Sequence, residues 1–249
     1  MENRTVNKGG VICQKEGGVL RLTLDRPDAG NRLTISMLRA IARAVGGAGN
    51  DTEIKVAVIG ANGLDFCLGG ELGNFWEMEP VEIDDFANAF IEALLHIRNC
   101  PVPVIVNVAG RAWGGGVCLV DAADLAAARV GASFAIPEIL GGRPPVLSFM
   151  SASRSLPEKT LMRLALTGAE IDADEALRRG MVSAVGEGEE GVDGICGTWI
   201  NGILQSAENP VNVIKKLRAE ADCGMYERQL RAAGGLLVQA LLGSTVGGN

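Results

Sequence analysis

Two glycine-rich stretches and one carboxylate are the residues of this chain best placed to do chemistry. The stretches are Cys67-Leu68-Gly69-Gly70 and Gly114-Gly115-Gly116. Each follows a short apolar run and precedes a helical pattern. Backbone N–H groups are exposed at such junctions, and the helix dipole there favours negative charge. Two such loops facing one another supply a pair of donors for a developing oxyanion. Glycine also lets a strand turn tightly into a helix, and for either loop alone that reading stays open. The carboxylate is Glu138, at the end of Phe134-Ala135-Ile136-Pro137-Glu138, where Pro137 restricts the backbone just before it. A carboxylate held there is a candidate for general acid–base work.

The elements that must hold these residues follow from periodicity. Residues 19–24 (V-L-R-L-T-L) alternate as a half-buried strand does. The turn Asp25-Arg26-Pro27-Asp28 follows. Thr34 then caps a helix with Met37, Leu38, Ile41, Ala42 and Val45 on one face, expected to end at Gly46-Gly47. The continuous apolar runs 55–60 and 103–108 predict parallel strands covered on both faces. A helix is expected between them over 81–98, and another over 117–123 after the second glycine loop. This alternation is α/β, a parallel sheet with crossover helices. Beyond residue 140 the strands largely stop, and helices are expected over 156–167, 172–179, 192–205 and 210–242. The acidic, glycine-rich stretch 186–191 reads as a loop at the boundary.

Composition narrows the function classes. Of the 249 residues, 47% are hydrophobic and 21% charged, as in a chain that buries a sizeable core. The formal charge of −7 argues against a nucleic-acid partner, which needs a local surplus of Lys and Arg. A single histidine excludes a His-rich metal site. The six cysteines form no C-x-x-C pair and read as reduced thiols, which implies the cytoplasm. The N-terminus lacks an apolar signal core and no apolar run is long enough to span a bilayer, so no membrane partner is expected. No cofactor or metal is called for by these residues.

Four segments together resemble the crotonase (enoyl-CoA hydratase/isomerase) superfamily. They are FCLGGEL at 66–72, AGRAWGGGVCLVDAADLAAA at 109–128, SFAIPEILGGRPP at 133–145 and TGAEIDADEALRRGMVSAV at 167–185. The resemblance implies a ββα spiral core over residues 1–190 and a C-terminal helical trimerisation region over 191–249. It also implies a thioester carbonyl bound between the amides of Gly70 and Gly115, with Glu138 as the proton-transfer residue. Hydratases of this kind carry a second glutamate in the helix after the glycine triad, and here that position is Cys118. A thiol is a poor substitute for an acid–base carboxylate unless its pKa is lowered. The resemblance therefore implies isomerisation of an enoyl thioester, or dehydration of a β-hydroxyacyl thioester, ahead of hydration. The stretch PEILGGRPPVLSFMSASR at 137–154 also resembles the dehydratases of polyketide β-branching. A non-catalytic acyl-thioester binding or assembly subunit is the competing class.

Further residues are assigned to the substrate on these grounds. Leu68 and Trp113 adjoin the two glycine loops. Cys118 and, one helical turn on, Asp121 share a helix face. Arg143, five residues beyond Glu138, is placed to pair with a substrate carboxylate or hold its loop. Arg26 and Arg32 flank the turn that in the superfamily meets the pantetheine or nucleotide end, where an arginine suits phosphate. Asp124 matches the aspartate that closes the triad helix. The carrier is CoA or an acyl carrier protein. A homotrimer or dimer of trimers is expected, because Val211, Ile214 and Leu217, and then Leu230, Leu237 and Leu241, give the tail apolar faces.

Overall fold

The computed structural model describes residues 5–7 and 10–246. Strands β1 (Thr5–Asn7), β2 (Val11–Glu16) and β3 (Val19–Leu24) form an antiparallel meander. Helix α1 (Ile35–Ala48) returns the chain to β4 (Val56–Ala61), and α2 (Pro80–Arg98) returns it to β5 (Val104–Val108). The two-residue strand β6 (Ala112–Trp113) leads into α3 (Gly115–Ala122), β7 (Leu125–Arg129) and β8 (Ser133–Ala135). Helices α4 (Val146–Ala152) and α5 (Glu158–Thr167), strand β9 (Glu170–Asp172), helix α6 (Ala173–Arg179) and strand β10 (Ala184–Gly186) come next. The tail is α7 (Gly188–Gln205), α8 (Glu208–Asp222) and α9 (Met225–Val246).

The main sheet has the order β1-β2-β3-β4-β5-β7-β10 and is parallel from β3 onward. Its two faces explain the uninterrupted apolar runs. Leu20, Leu22, Ala57, Ile59, Val104 and Val106 join the core beneath α1 and α2, while Val19, Val56, Val58 and Ile105 meet Val192, Cys196 and Ile200 of α7. A second small sheet, β6-β8-β9, carries the segments that end in the glycine triad and in Glu138.

Several boundaries differ from expectation for identifiable reasons. Thr34 caps α1 as expected, its Oγ accepting from the Met37 amide at 3.2 Å. The helix nevertheless runs through Gly46-Gly47, because Val45 and Ala48 on either side are both buried. The 186–191 stretch turns helical at Gly188, where Gly186 and Gly191 backbones meet too closely for a Cβ at Gly186. The tail is two helices rather than one, broken where Cys223 and Gly224 take positive φ. Helix α9 folds back onto α2 and α4 of its own chain and buries Leu230 and Leu237; Leu241 lies outside the residues whose side chains are described. Ile214 and Leu217 on α8 stay about two-thirds exposed. Asp124 clamps α8 to the sheet, accepting from the Val104 amide and pairing with Lys215 and Arg218. Among the described residues no helix is long and apolar enough to cross a membrane.

Candidate active site

The two glycine loops are laced together by backbone hydrogen bonds. On one side of the first, the Leu33 amide donates to the Gly69 carbonyl and the Glu71 amide to the Leu33 carbonyl, both within 2.9 Å. On the other, the Cys67 amide donates to Arg111 and the Trp113 amide to Cys67. One rung further on, the Gly114 amide donates to the carbonyl of Ala135, three residues before Glu138. These rungs put loop, loop and carboxylate side by side. Gly116 has no room for a side chain, since a Cβ would collide with the Cys67 carbonyl oxygen, and one on Gly69 would stand 3.7 Å from the Gly115 nitrogen.

The rungs also decide which amides are left over. Gly70 faces Leu33 in a parallel bridge, in which its neighbours make the hydrogen bonds and its own N–H does not. Gly115 is the first residue of α3, where an amide has no intrahelical acceptor. Among the described residues neither amide donates to a protein group. The first loop is not at a helix N-terminus, contrary to expectation: α2 begins only at Pro80. Its free amide comes from strand-like pairing instead.

A cavity of about 250 Å3 opens beside both amides. Leu72, Phe75, Phe86, Phe90 and Leu237 supply an apolar wall, and Leu68, Trp113, Cys118, Arg32, Arg143 and Glu138 complete it. Glu138 is the only carboxylate on this cavity among the described residues. Its Oε1 accepts a 2.6 Å hydrogen bond from Ser148 Oγ, while its Oε2 is buried with no partner. Burial lifts its pKa above the ordinary carboxylate value, against the opposing pull of the Ser148 hydroxyl and the Arg143 charge. Cys118 sits fully buried in the same wall. Burial drives its thiol pKa upward, and Glu138, Asp121 and Cys67 push the same way, so the thiol stays protonated. Trp113 is held by a hydrogen bond from its Nε1 to Ser133 Oγ at 3.2 Å.

Two residues assigned from sequence lie elsewhere. Asp121 shares a helix face with Cys118 but sits about 9 Å along the axis from Gly115, at ~1.5 Å per residue. It therefore opens into a different cavity of about 240 Å3 lined by Arg98, Arg154, Ser155 and Arg218. Arg26 is not on the main cavity either. Its guanidinium pairs with Glu71 and donates to the Arg32 carbonyl, so it braces the first loop. Arg32 remains on the cavity wall, donating to the Leu68 carbonyl at 2.8 Å. Ser148 was not anticipated. It lies on α4, whose short apolar pattern behind Pro144-Pro145 does not stand out as a helix, although the spacing of Leu147, Met150 and Ser151 is the signal that could have found it.

A parallel sheet wound with helices, two glycine loops bridged rung to rung, and a helical tail folded over them are the features of the crotonase fold. A family model described as enoyl-CoA hydratase/isomerase matches residues 14–239. The chain belongs to that family. A carnitinyl-CoA dehydratase of Salmonella enteritidis is 35% identical over 173 residues, which cover 69% of this chain and 66% of the relative. A short-chain-enoyl-CoA hydratase of Clostridium acetobutylicum is 32% identical, over 72% of this chain and 70% of the relative. Human mitochondrial enoyl-CoA hydratase domain-containing protein 3 is 32% identical over 68% of this chain, but the match spans only 56% of the human protein. The chain thus matches about three-fifths of the length of relatives of that type, 61% for the zebrafish protein. Among solved structures, an enoyl-CoA hydratase from Mycobacterium avium subsp. paratuberculosis K-10 superposes with a TM-score of 0.84 at 26% identity, over 96% of this chain and 95% of that one.

Proposed function

We propose that the chain works on an acyl thioester through an enolate whose oxygen lies between the Gly70 and Gly115 amides, with Glu138 moving the proton. The observation that carries this reading is that both glycine loops and Glu138 meet on one cavity, where Glu138 is the sole carboxylate among the described residues that line it. Glu138 takes a proton from the α carbon, and the electron pair moves onto the thioester oxygen. The same carboxyl then returns the proton. Given to the γ carbon of an enolate conjugated with a double bond, it completes an isomerisation. Given to a β-hydroxyl as the C–O bond breaks, it releases water and leaves the enoyl thioester. The protonated thiol of Cys118 leaves Glu138 as the one proton-moving group, which supports a one-carboxylate reaction over two-carboxylate hydratase chemistry, and the likeness to a carnitinyl-CoA dehydratase supports dehydration in particular.

Arg32 and Arg143 are the cations on the cavity for an anionic group of the substrate, either a phosphate of its CoA or acyl-carrier pantetheine or a carboxylate on the acyl chain. The exposed Val213, Ile214 and Leu217 of α8 are the surface through which the chain forms a trimer or a dimer of trimers. Six free thiols favour a reducing compartment, the cytoplasm. Exchange of substrate α-protons with deuterium tests the reaction. Wild type should exchange and Glu138→Gln should lose about 10²–10⁴ of that rate. Equal, background exchange in both would instead favour a non-catalytic thioester-binding subunit, which the loss of the second carboxylate also allows.

A further inference from the structure

We propose that Ser148 is a positioning residue for Glu138: its hydroxyl holds Oε1 fixed in either protonation state and leaves Oε2 to carry the travelling proton. This rests on the reading of Glu138 as the proton-moving group. Ser148 is 2% exposed on α4, with its Oγ 2.6 Å from Glu138 Oε1 and 3.2 Å from the Pro145 carbonyl oxygen. A serine hydroxyl has one proton to give and lone pairs to accept with, so it serves one of these two acceptors at a time. With Glu138 ionised, the charge-assisted bond to the carboxylate wins, and 2.6 Å is the length such a bond takes. With the proton on Oε2, Oε1 is still an acceptor and the contact survives as an ordinary neutral hydrogen bond, weaker than the charge-assisted one. Should the proton shift to Oε1, the hydroxyl turns to Pro145 and accepts from the carboxyl. In none of these states is Oε1 released.

The other side of the carboxyl is confined as well. A Cβ on Gly114 would approach Oε1 to 2.9 Å, so the absence of a side chain there leaves this oxygen its place against the second glycine loop. Oε1 thus lies next to the residue immediately before the Gly115 amide, held there by Ser148. Oε2 is buried, partnerless and free to exchange a proton. The carboxyl is divided into an oxygen for position and an oxygen for chemistry. Burial raises the Glu138 pKa and the Ser148 hydrogen bond lowers it, so the serine also sets the pH at which the base becomes available.

The test compares wild type, Ser148→Ala and Ser148→Thr by the pH dependence of α-proton exchange and by infrared titration of the Glu138 carboxyl without substrate. Ser148→Ala should move the acidic limb and the infrared titration to higher pH. It should lower kcat about tenfold to a hundredfold, the size expected for one hydrogen bond to a charged group, with KM little changed. Ser148→Thr keeps the hydroxyl and should restore both. Ser148→Cys, which keeps the volume but donates weakly, should fall between and stands in if the alanine variant does not fold. An unchanged limb and titration in Ser148→Ala, or a threonine variant as impaired as alanine, overturns the proposal. If Glu138→Gln is inactive while Ser148→Ala behaves as wild type, only the serine assignment fails. If Glu138→Gln exchanges normally, the reading of Glu138 itself fails.

Discussion

The two ends of α3 show how differently one short helix can be used. At its start the Gly115 amide is free, the adjoining cavity is walled by phenylalanines and leucines, and Glu138 is the sole carboxylate there among the described residues. At its far end the Arg218 guanidinium donates to the carbonyls of Ala122 and Ala123, so the negative end of the helix is closed by protein. The cavity there is lined by charges, and Asp121 lies among Arg98, Arg154 and Arg218. Yet burial raises both carboxyls: Glu138 above its usual value, and Asp121 up to about 6. A raised pKa therefore does not by itself mark the site. A free backbone amide beside the carboxyl does, and at the far end the helix presents carbonyls, which Arg218 closes.

Substitutions at the two ends should separate accordingly. The largest effect belongs to the first: Glu138→Ala should lower turnover by about 10²–10⁴-fold, because no second carboxylate covers for it. Cys118→Ala, in the same wall, should leave turnover within a few-fold. Its cost should appear in denaturant unfolding as about 1–2 kcal/mol of lost packing. A larger loss of turnover would mean that the thiol takes part. Asp121→Asn should leave turnover alone and act on stability, and the sign can be worked out. The folded chain keeps a proton on Asp121 up to about 6, whereas the ordinary value is 3.8. Between these values the folded state binds more protons than the unfolded one, so wild-type stability falls as pH rises through that window. The variant escapes this fall and should melt above wild type at pH 7.5, with the gain shrinking toward pH 4. A variant that melts lower at both pH values would show that the arginines need the aspartate charge.

How far the sequence reached can be seen at these same residues. The glycine loops, Pro137-Glu138 and the buried strands were readable because each combines a local pattern with a position between strand and helix. Arg26 could not be placed, since its partner Glu71 is 45 residues away and adjacency across loops leaves no local trace. Helical spacing does not separate Asp121 from the Gly115 cavity, because it reports the angle around an axis and not the distance along it. Ser148 was missed since α4 is only seven residues long and follows two prolines. The free amide of Gly70 was expected for the wrong reason. A bridge between residues 33 and 70, not a helix start, leaves it unpaired.

The central claim is that two particular amides hold the thioester oxygen, and a paired substitution at Gly115 tests it most directly. Proline is well tolerated at the first position of a helix, and there its ring Cδ replaces an N–H that makes no intrahelical bond. Gly115→Ala keeps that N–H while bringing the same Cβ toward the Phe90 ring, which it would approach to 2.9 Å. The alanine variant is therefore the control for crowding. In folded variants that still bind the thioester, Gly115→Pro should exchange substrate α-protons about 10²–10³-fold more slowly than Gly115→Ala, the usual loss for one oxyanion donor. Equal exchange rates in the two would contradict the account.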